Sequence, residues 1–421
     1  MSRKSDIIYS VKAQIGDNDM NYTFSNKIAN LKPSAIREIL KAPATDETIS
    51  FAAGNPAPES FPVDDMARIS ASIYSEMPTS ALQYGATDGY TPLREVIAKR
   101  QKEKFNIGRS VACGDAFDDT AIIVSGGQQG IELACKVFCN EGDAVICENP
   151  TFIGALNAFR SNGATPVGVT LEDDGMNIEE LEETIQSTPN AKLIYVIPNF
   201  QNPAGICTSY EKRVKIYELA KKYGLMILED NPYGELRFAG EDIPSIKSFD
   251  DEGIVIYCST FSKILSAGMR VGFVIAPDTV ASKMVVSKQT SDVHTNLFFQ
   301  ILCYKYMTEC DLEGHIEEIR EIYRHKCNLM LECLEREMPK CIKFTRPEGG
   351  LFIWGTLPER VDANAFIKAA TARNVRIVPG ATFNCDTEAP SQSFRLNYST
   401  PSDEQIVKGV RVLGELAREF V

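Results

Sequence analysis

No stretch of this chain approaches 18 consecutive apolar residues, so no membrane-spanning helix is expected. Its twelve cysteines contain no C-x-x-C pair, and its only histidines, His294, His315 and His325, show no H-E-x-x-H pattern. A zinc site is therefore not expected, and Cys135 and Cys139, in a helical-looking stretch, read as core. Basic residues are outnumbered, 44 Lys and Arg against 57 Asp and Glu, for a net charge of −13. That argues against a nucleic-acid surface, which needs a basic face, but leaves room for local arginines that take small anions. G-x-G-x-x-G is absent, which disfavours a dinucleotide site. The first residues, MSRKSDIIYSVKAQIGDNDM, hold no apolar run of signal-peptide length, and many unpaired cysteines suit a reducing compartment. The expectation is a cytoplasmic protein.

What is present is ordered. Over 421 residues, 44% of them apolar, there is material for a large core and an enclosed site. Seven short, β-branched, almost continuously apolar runs recur: AIIV (121–124), AVIC (144–147), TPVGV (165–169), KLIYVI (192–197), LMIL (225–228), IVIYC (254–258) and VGFVIA (271–276). Such runs are strands buried on both faces, and helical patterns such as QQGIELACKVF and SYEKRVKIYELAKKYG lie between several of them. The alternation predicts an α/β fold: a mostly parallel seven-stranded sheet with helices on both faces. Further on come a long amphipathic pattern from about Leu297 to Glu337, short strands (CIKFT, LFIWG, VRIV, SFRLNY), and helices near 362–373 and 403–419. These predict a smaller α+β domain. The expected division is a large domain over 61–295, a small one over 296–421, and residues 1–60 packing on the small one.

Ligands of open parallel sheets sit at the carboxyl ends of the strands. After AIIV comes SGGQQG, a glycine-rich turn opening a helix, where Ser125, Gly126, Gly127 and Gln128 are candidates for a phosphate. After AVIC comes ENPTF, whose Phe152 could lie on a planar ring. After KLIYVI comes PNFQNPAG with Asn202, and after LMIL comes EDNPYGEL with Glu229, Asp230 and Tyr233. A carboxylate there could pair with a protonated ring nitrogen. After IVIYC comes STFSKILSAGMR: Ser259, Thr260 and Ser262 crowd Lys263, and Arg270 follows. A desolvated lysine near an arginine has a lowered pKa, and a neutral amine can form a Schiff base. Arg395, in the apolar strand SFRLNYS, needs a partner, which a bidentate carboxylate would supply. Each feature alone has a plain structural explanation. Together they suit pyridoxal phosphate, with its phosphate, flat pyridine, phenolic oxygen and aldehyde.

Across almost its whole length the sequence resembles the class I aminotransferases of the fold-type I pyridoxal-phosphate enzymes, and within them the 2-aminoadipate and kynurenine-type subgroup. The resemblance is carried by SAIREIL, FAAGNPAPESFP, LQYGATDGYTPLRE, SGGQQG, ENPTF, PNFQNPAG, EDNPYGEL, STFSK, GMRVGF, PEGGLFIW, VRIVPG and FRLNYS, in that order. It implies that Lys263 is the Schiff-base lysine and proton shuttle and that Asp230 pairs with the pyridine nitrogen. It implies that Tyr233 and Asn202 bond the phenolic oxygen and Phe152 stacks on the ring. Gly127, Gln128, Thr260, Ser262 and Arg270 would surround the phosphate, with Tyr84 reaching the phosphate site of a second subunit in a homodimer. Arg395 would bind the substrate α-carboxylate, with Asn202 and Gly54 close by. Arg37 matches an arginine that some relatives use for acidic side chains, and reads equally as a helix-surface residue. The sequence departs from many relatives at Phe152, where they have tyrosine, and at Gly127, where they have serine or threonine.

The implied activity is ping-pong transfer of an amino group from an L-amino acid to a 2-oxo acid, with 2-oxoglutarate the family-based acceptor. Aromatic, branched-chain and 2-aminoadipate-like donors stay open. So do a β-lyase or decarboxylase on the same scaffold. A non-catalytic aminotransferase-like regulator domain is disfavoured by the acidic charge and by the short segment before the family-like part.

Overall fold

Each of the seven apolar runs forms a strand in the structure, a computed structural model that describes residues 22–29, 31, 33, 39, 41 and 47–421. In chain order the first strands are β1 (Ile49–Ser50), β2 (Asp119–Val124), β3 (Ala144–Asn149), β4 (Thr165–Glu172), β5 (Gly175–Met176), β6 (Ala191–Val196), β7 (Met226–Asp230), β8 (Val255–Thr260) and β9 (Gly272–Pro277). Strands β2 to β9 make one sheet in the order β2-β9-β8-β7-β6-β3-β4-β5. The count is thus eight, not seven. The run expected to end at Val169 continues to Glu172, turns at Asp173–Asp174 and returns as the two-residue β5, antiparallel to β4. The turn supplies its reason: the D-D-G sequence ends in Gly175, at φ +119°.

Strand β9 runs antiparallel between β2 and β8. Only residues 261–271 join β8 to β9, too few for a crossover helix, so the chain must return beside the strand it left. That short return carries Lys263 and Arg270.

Alternate residues of the central strands enter two separate cores. Ala144, Ile146, Ile194, Val196, Ile227 and Val255 pack with Leu181, Ile216 and Ala220, from the helices Ile178–Ser187 and Tyr210–Tyr223. Val145, Cys147, Leu193, Tyr195, Leu228, Ile256 and Cys258 face the other way, with Ile131, Ala134, Leu156 and Phe159 of the helices Gly127–Phe138 and Ile153–Ser161. Both faces are dry, which explains runs that are apolar at every position.

The last third holds β10 (Lys343–Phe344), β11 (Phe352–Thr356), β12 (Val375–Arg376), β13 (Val378–Pro379) and β14 (Ser393–Asn397). Four of these form an antiparallel sheet in the order β10-β11-β14-β13. β12 pairs in parallel with β1, and Asn397 N–H donates to Phe51 O at 2.8 Å, so residues 49–55 run along this second sheet. The single long helical pattern from Leu297 is two helices, Leu297–Glu309 and Leu312–Glu337. Asp311 breaks it because its side chain caps the second helix, accepting from Gly314 N–H at 2.9 Å.

Candidate active site

A cavity of about 800 Å³ opens where the carboxyl ends of the parallel strands meet the second sheet. It is lined by Gly54, Gly127, Gln128, Phe152, Asn202, Asp230, Tyr233, Thr260, Ser262, Lys263, Arg270 and Arg395. These are the residues to which the family resemblance gives a role, apart from two. Tyr84 lies outside the lining, 81% exposed, with its ring edge-on to His294 at 5.8 Å. Arg37 lies outside the described residues.

Lys263 sits just beyond β8, and its Nζ donates to Gly54 O at 2.8 Å. Burial pushes the amine down to about 8, and the Arg270 and Arg395 cations add to the effect. An appreciable fraction is therefore neutral near physiological pH, which a lysine nucleophile requires.

Asp230 and Glu229, adjacent at the end of β7, point to opposite faces because the strand period is two. Glu229 turns away and accepts from Ser245 Oγ and from the N–H groups of Ile246 and Lys247 at 2.7–3.0 Å. Asp230 turns into the cavity, where burial pushes its carboxyl up to about 7 against the hydrogen bond from Tyr195 Oη, at 2.8 Å. Beyond it, Asn202 Nδ2 lies 3.5 Å from Tyr233 Oη, and Asn202 Oδ1 accepts from Arg395 Nη1 at 2.8 Å.

Arg395 is 2% exposed. Its Nη2 donates to Ala52 O at 2.8 Å, its Nε has no hydrogen-bond partner, and its guanidinium lies between Phe352 and Phe383. Among the described residues no carboxylate pairs with it, so the internal salt bridge that would make it structural is missing. Burial pushes it down to about 10.

At the other end of the cavity, Arg270 adopts a left-handed φ of +56° and its Nη2 donates to Ser125 O at 3.2 Å. Gly126, at φ +78°, makes this approach feasible, since a Cβ there would lie 2.2 Å from Arg270 Nη2. Next to it the helix Gly127–Phe138 presents its N-terminus, and Thr260 Oγ1 and Ser262 Oγ meet at 2.8 Å. Two candidates have side chains engaged by other groups of the protein. Ser125 Oγ turns to Asp292 Oδ2 at 2.7 Å, away from the cavity, and Gln128 Nε2 is engaged by Gly154 O at 2.8 Å.

Sequence reasoning missed Tyr195, and also Glu148, whose buried carboxyl accepts from Ile197 N–H and Gln201 Nε2 and is pushed up to about 8 by burial. Both are polar positions inside or at the end of apolar strands, a signal that was present but had no partner until register was known.

The family model "Aminotransferase class I and II" matches residues 46–413. The chain belongs to that family. It is a transaminase, with pyridoxal phosphate as the cofactor. Among its aminotransferase relatives, aromatic-amino-acid aminotransferase 1 of Thermococcus litoralis is 40% identical over 405 residues, covering 95% of each chain. The 2-aminoadipate transaminase of Thermus thermophilus is 36% identical, covering 93% of this chain and 95% of that one. The crystal structure of a multiple-substrate aminotransferase from Thermococcus profundus superposes with a TM-score of 0.88 at 40% identity, covering 94% of this chain and 97% of that one.

The aminotransferase site fits this cofactor. A buried carboxylate with no cationic partner among the described residues suits a protonated ring nitrogen. A lysine with a depressed pKa suits an aldehyde. A helix N-terminus beside Arg270, Thr260 and Ser262 suits a phosphate.

Proposed function

We propose that this aminotransferase moves the amino group of an aromatic, branched-chain or 2-aminoadipate-like L-amino acid to 2-oxoglutarate by a ping-pong mechanism. The observation that carries the reading is Lys263: a desolvated amine in one cavity with a buried carboxylate, Asp230, and a buried cation, Arg395, that has no carboxylate partner among the described residues. Gly127, Gln128, Thr260, Ser262 and Arg270 would hold the cofactor's phosphate, Phe152 its ring, Asp230 its ring nitrogen, and Tyr233 and Asn202 its phenolic oxygen. When bound, pyridoxal phosphate supplies an aldehyde that bonds the Lys263 amine and a protonated ring that accepts the electron pair left at the substrate's Cα.

The remaining work is done by side chains. Arg395 binds the substrate α-carboxylate through its fork of donors, with Asn202 fixing one of them. Asp230 keeps a positive charge on the ring side by remaining ionised. Lys263 Nζ, once free, takes the Cα proton as a general base and returns it to the cofactor side. Leu31, Pro33, Ile153 and Phe352 line the cavity with apolar surface, which supports donors with apolar side chains.

The reading extends to assembly and place. Residues 61–295 act as the cofactor-binding part and 296–421 as the smaller part; of residues 1–60, much lies outside the described residues, the pairing of β1 with β12 supports packing on the smaller part, and the helix Asn26–Ala29 lies instead against Ile153–Ser161 of the larger one. The chain works as a homodimer in which Tyr84 serves the partner's phosphate site. Exposed Tyr74, Tyr84 and Val293, grouped near the start of the helix Leu297–Glu309, support a second copy covering that face. It works in the cytoplasm; none of the described helices is long and apolar enough to cross a membrane, and its twelve cysteines are unpaired.

The test is a panel of L-amino acids, each incubated with the enzyme and 2-oxoglutarate. The expected result is glutamate formation with aromatic, branched-chain or 2-aminoadipate donors, matched by an equal amount of the donor's 2-oxo acid. Release of pyruvate with a thiol, or of carbon dioxide, without any need for an acceptor would instead support the lyase or decarboxylase.

A further inference from the structure

We propose that Tyr195 is a positioning residue for the reaction: its hydroxyl, donated to Asp230 Oδ2, holds that carboxylate ionised and in one orientation. The proposal rests on the reading of Asp230 as the partner of the cofactor's ring nitrogen.

The placement follows from register. Tyr195 on β6 lies opposite Leu228 on β7, and Asp230 is two residues further along β7, on the same face. The hydroxyl is therefore diagonal to the carboxylate and reaches it at 2.8 Å. Both residues are buried, and the Tyr195 ring is fixed edge-on against Phe159 at 5.5 Å, so packing sets where the hydroxyl points.

The surroundings make this one contact decisive. Lys263, Arg270 and Arg395 line the same cavity as Asp230, but none of them forms an ion pair with it; among the described residues, besides Tyr195, the other ionisable groups that interact with it are Glu148 from β3, Cys258 from β8, and Tyr233 beyond the end of β7. These three are not cations, and each becomes an anion if it ionises. Gly127, at the start of the helix packed against this face, brings no side chain. Burial drives the carboxyl towards its neutral form, and the Tyr195 hydrogen bond opposes it. A neutral carboxyl cannot hold a proton on a ring nitrogen, so the hydroxyl bears on the chemistry without touching substrate.

Tyr195→Phe removes the hydroxyl and keeps the ring. Cofactor-free wild type, Tyr195→Phe, Asp230→Asn and the double variant are titrated with pyridoxal phosphate from about pH 6 to about pH 9, following visible absorbance. Losing a hydrogen bond to a charged group should raise the dissociation constant of Tyr195→Phe about tenfold or more. The acid limb of binding should move up by about one pH unit, because the carboxyl then keeps its proton to higher pH. The turnover number should fall while KM for the amino donor stays at the wild-type value. In the Asp230→Asn background, Tyr195→Phe should leave the acid limb where it is: the amide still accepts the hydroxyl, but no carboxylate remains to be held ionised.

A Tyr195→Phe protein with the wild-type dissociation constant and acid limb overturns the proposal. So does one that only melts earlier in its cofactor-free form, or a double variant in which Tyr195→Phe still moves the acid limb. Wild-type protein that takes up no cofactor overturns the reading beneath it, and this inference with it.

Discussion

Replacing Lys263 with alanine should lower the rate of amino transfer by about 10⁴-fold. The amine has two tasks, covalent attachment of the cofactor and proton transfer at the substrate's Cα, and no second base stands ready to replace it. Asp230 is committed to the ring nitrogen, and burial holds the Tyr233 hydroxyl well above its usual range, so it gives up its proton reluctantly. The fold should survive, because the Nζ makes one hydrogen bond, to Gly54 O, and burial already disfavours its charge. The check is a single-turnover measurement with an amino acid donor, alongside thermal unfolding. A variant within tenfold of the wild-type rate contradicts the assignment.

Replacing Arg395 with methionine should lower kcat/KM by about 10²–10³-fold, the scale of two charge-assisted hydrogen bonds to a carboxylate. Most of this should appear as a higher KM. Lysine should not restore it, since a point charge lacks the planar fork that lies between Phe352 and Phe383. Stability should move little. The variant loses donors to Ala52 O and Asn202 Oδ1, but it also removes a buried cation that has no carboxylate partner among the described residues. The two effects are of similar size and opposite sign. Steady-state kinetics and the unfolding midpoint of the cofactor-free protein test this together. A wild-type KM would assign Arg395 to structure, and a collapse of the midpoint would show that the cation was holding the fold.

Much of this was legible in the amino-acid order. The strands were readable because burial on both faces leaves them apolar at every position, and the residue following each strand pointed to the cavity. Lys263, Asp230, Asn202, Arg270 and Arg395 could be named because polar groups at strand ends, or inside an apolar strand, need a reason to be there. Three things were not legible. The direction of β9 depends on the length of its connection, which an apolar run does not reveal. The choice of Asp230 over Glu229 came from the family resemblance; from the residues alone it depends on pleat parity relative to the cavity. Tyr195 depends on the register between β6 and β7, which only the paired sheet supplies. Local bonds that the sequence did not reveal engage two candidates: Ser125 Oγ bonds Asp292, and Gln128 Nε2 bonds Gly154 O.

Borohydride reduction of the cofactor-loaded protein, followed by mass mapping of its peptides, tests the central claim most directly. The account predicts a single phosphopyridoxyl group on the peptide that contains Lys263. Label on another lysine, or on none, would contradict it.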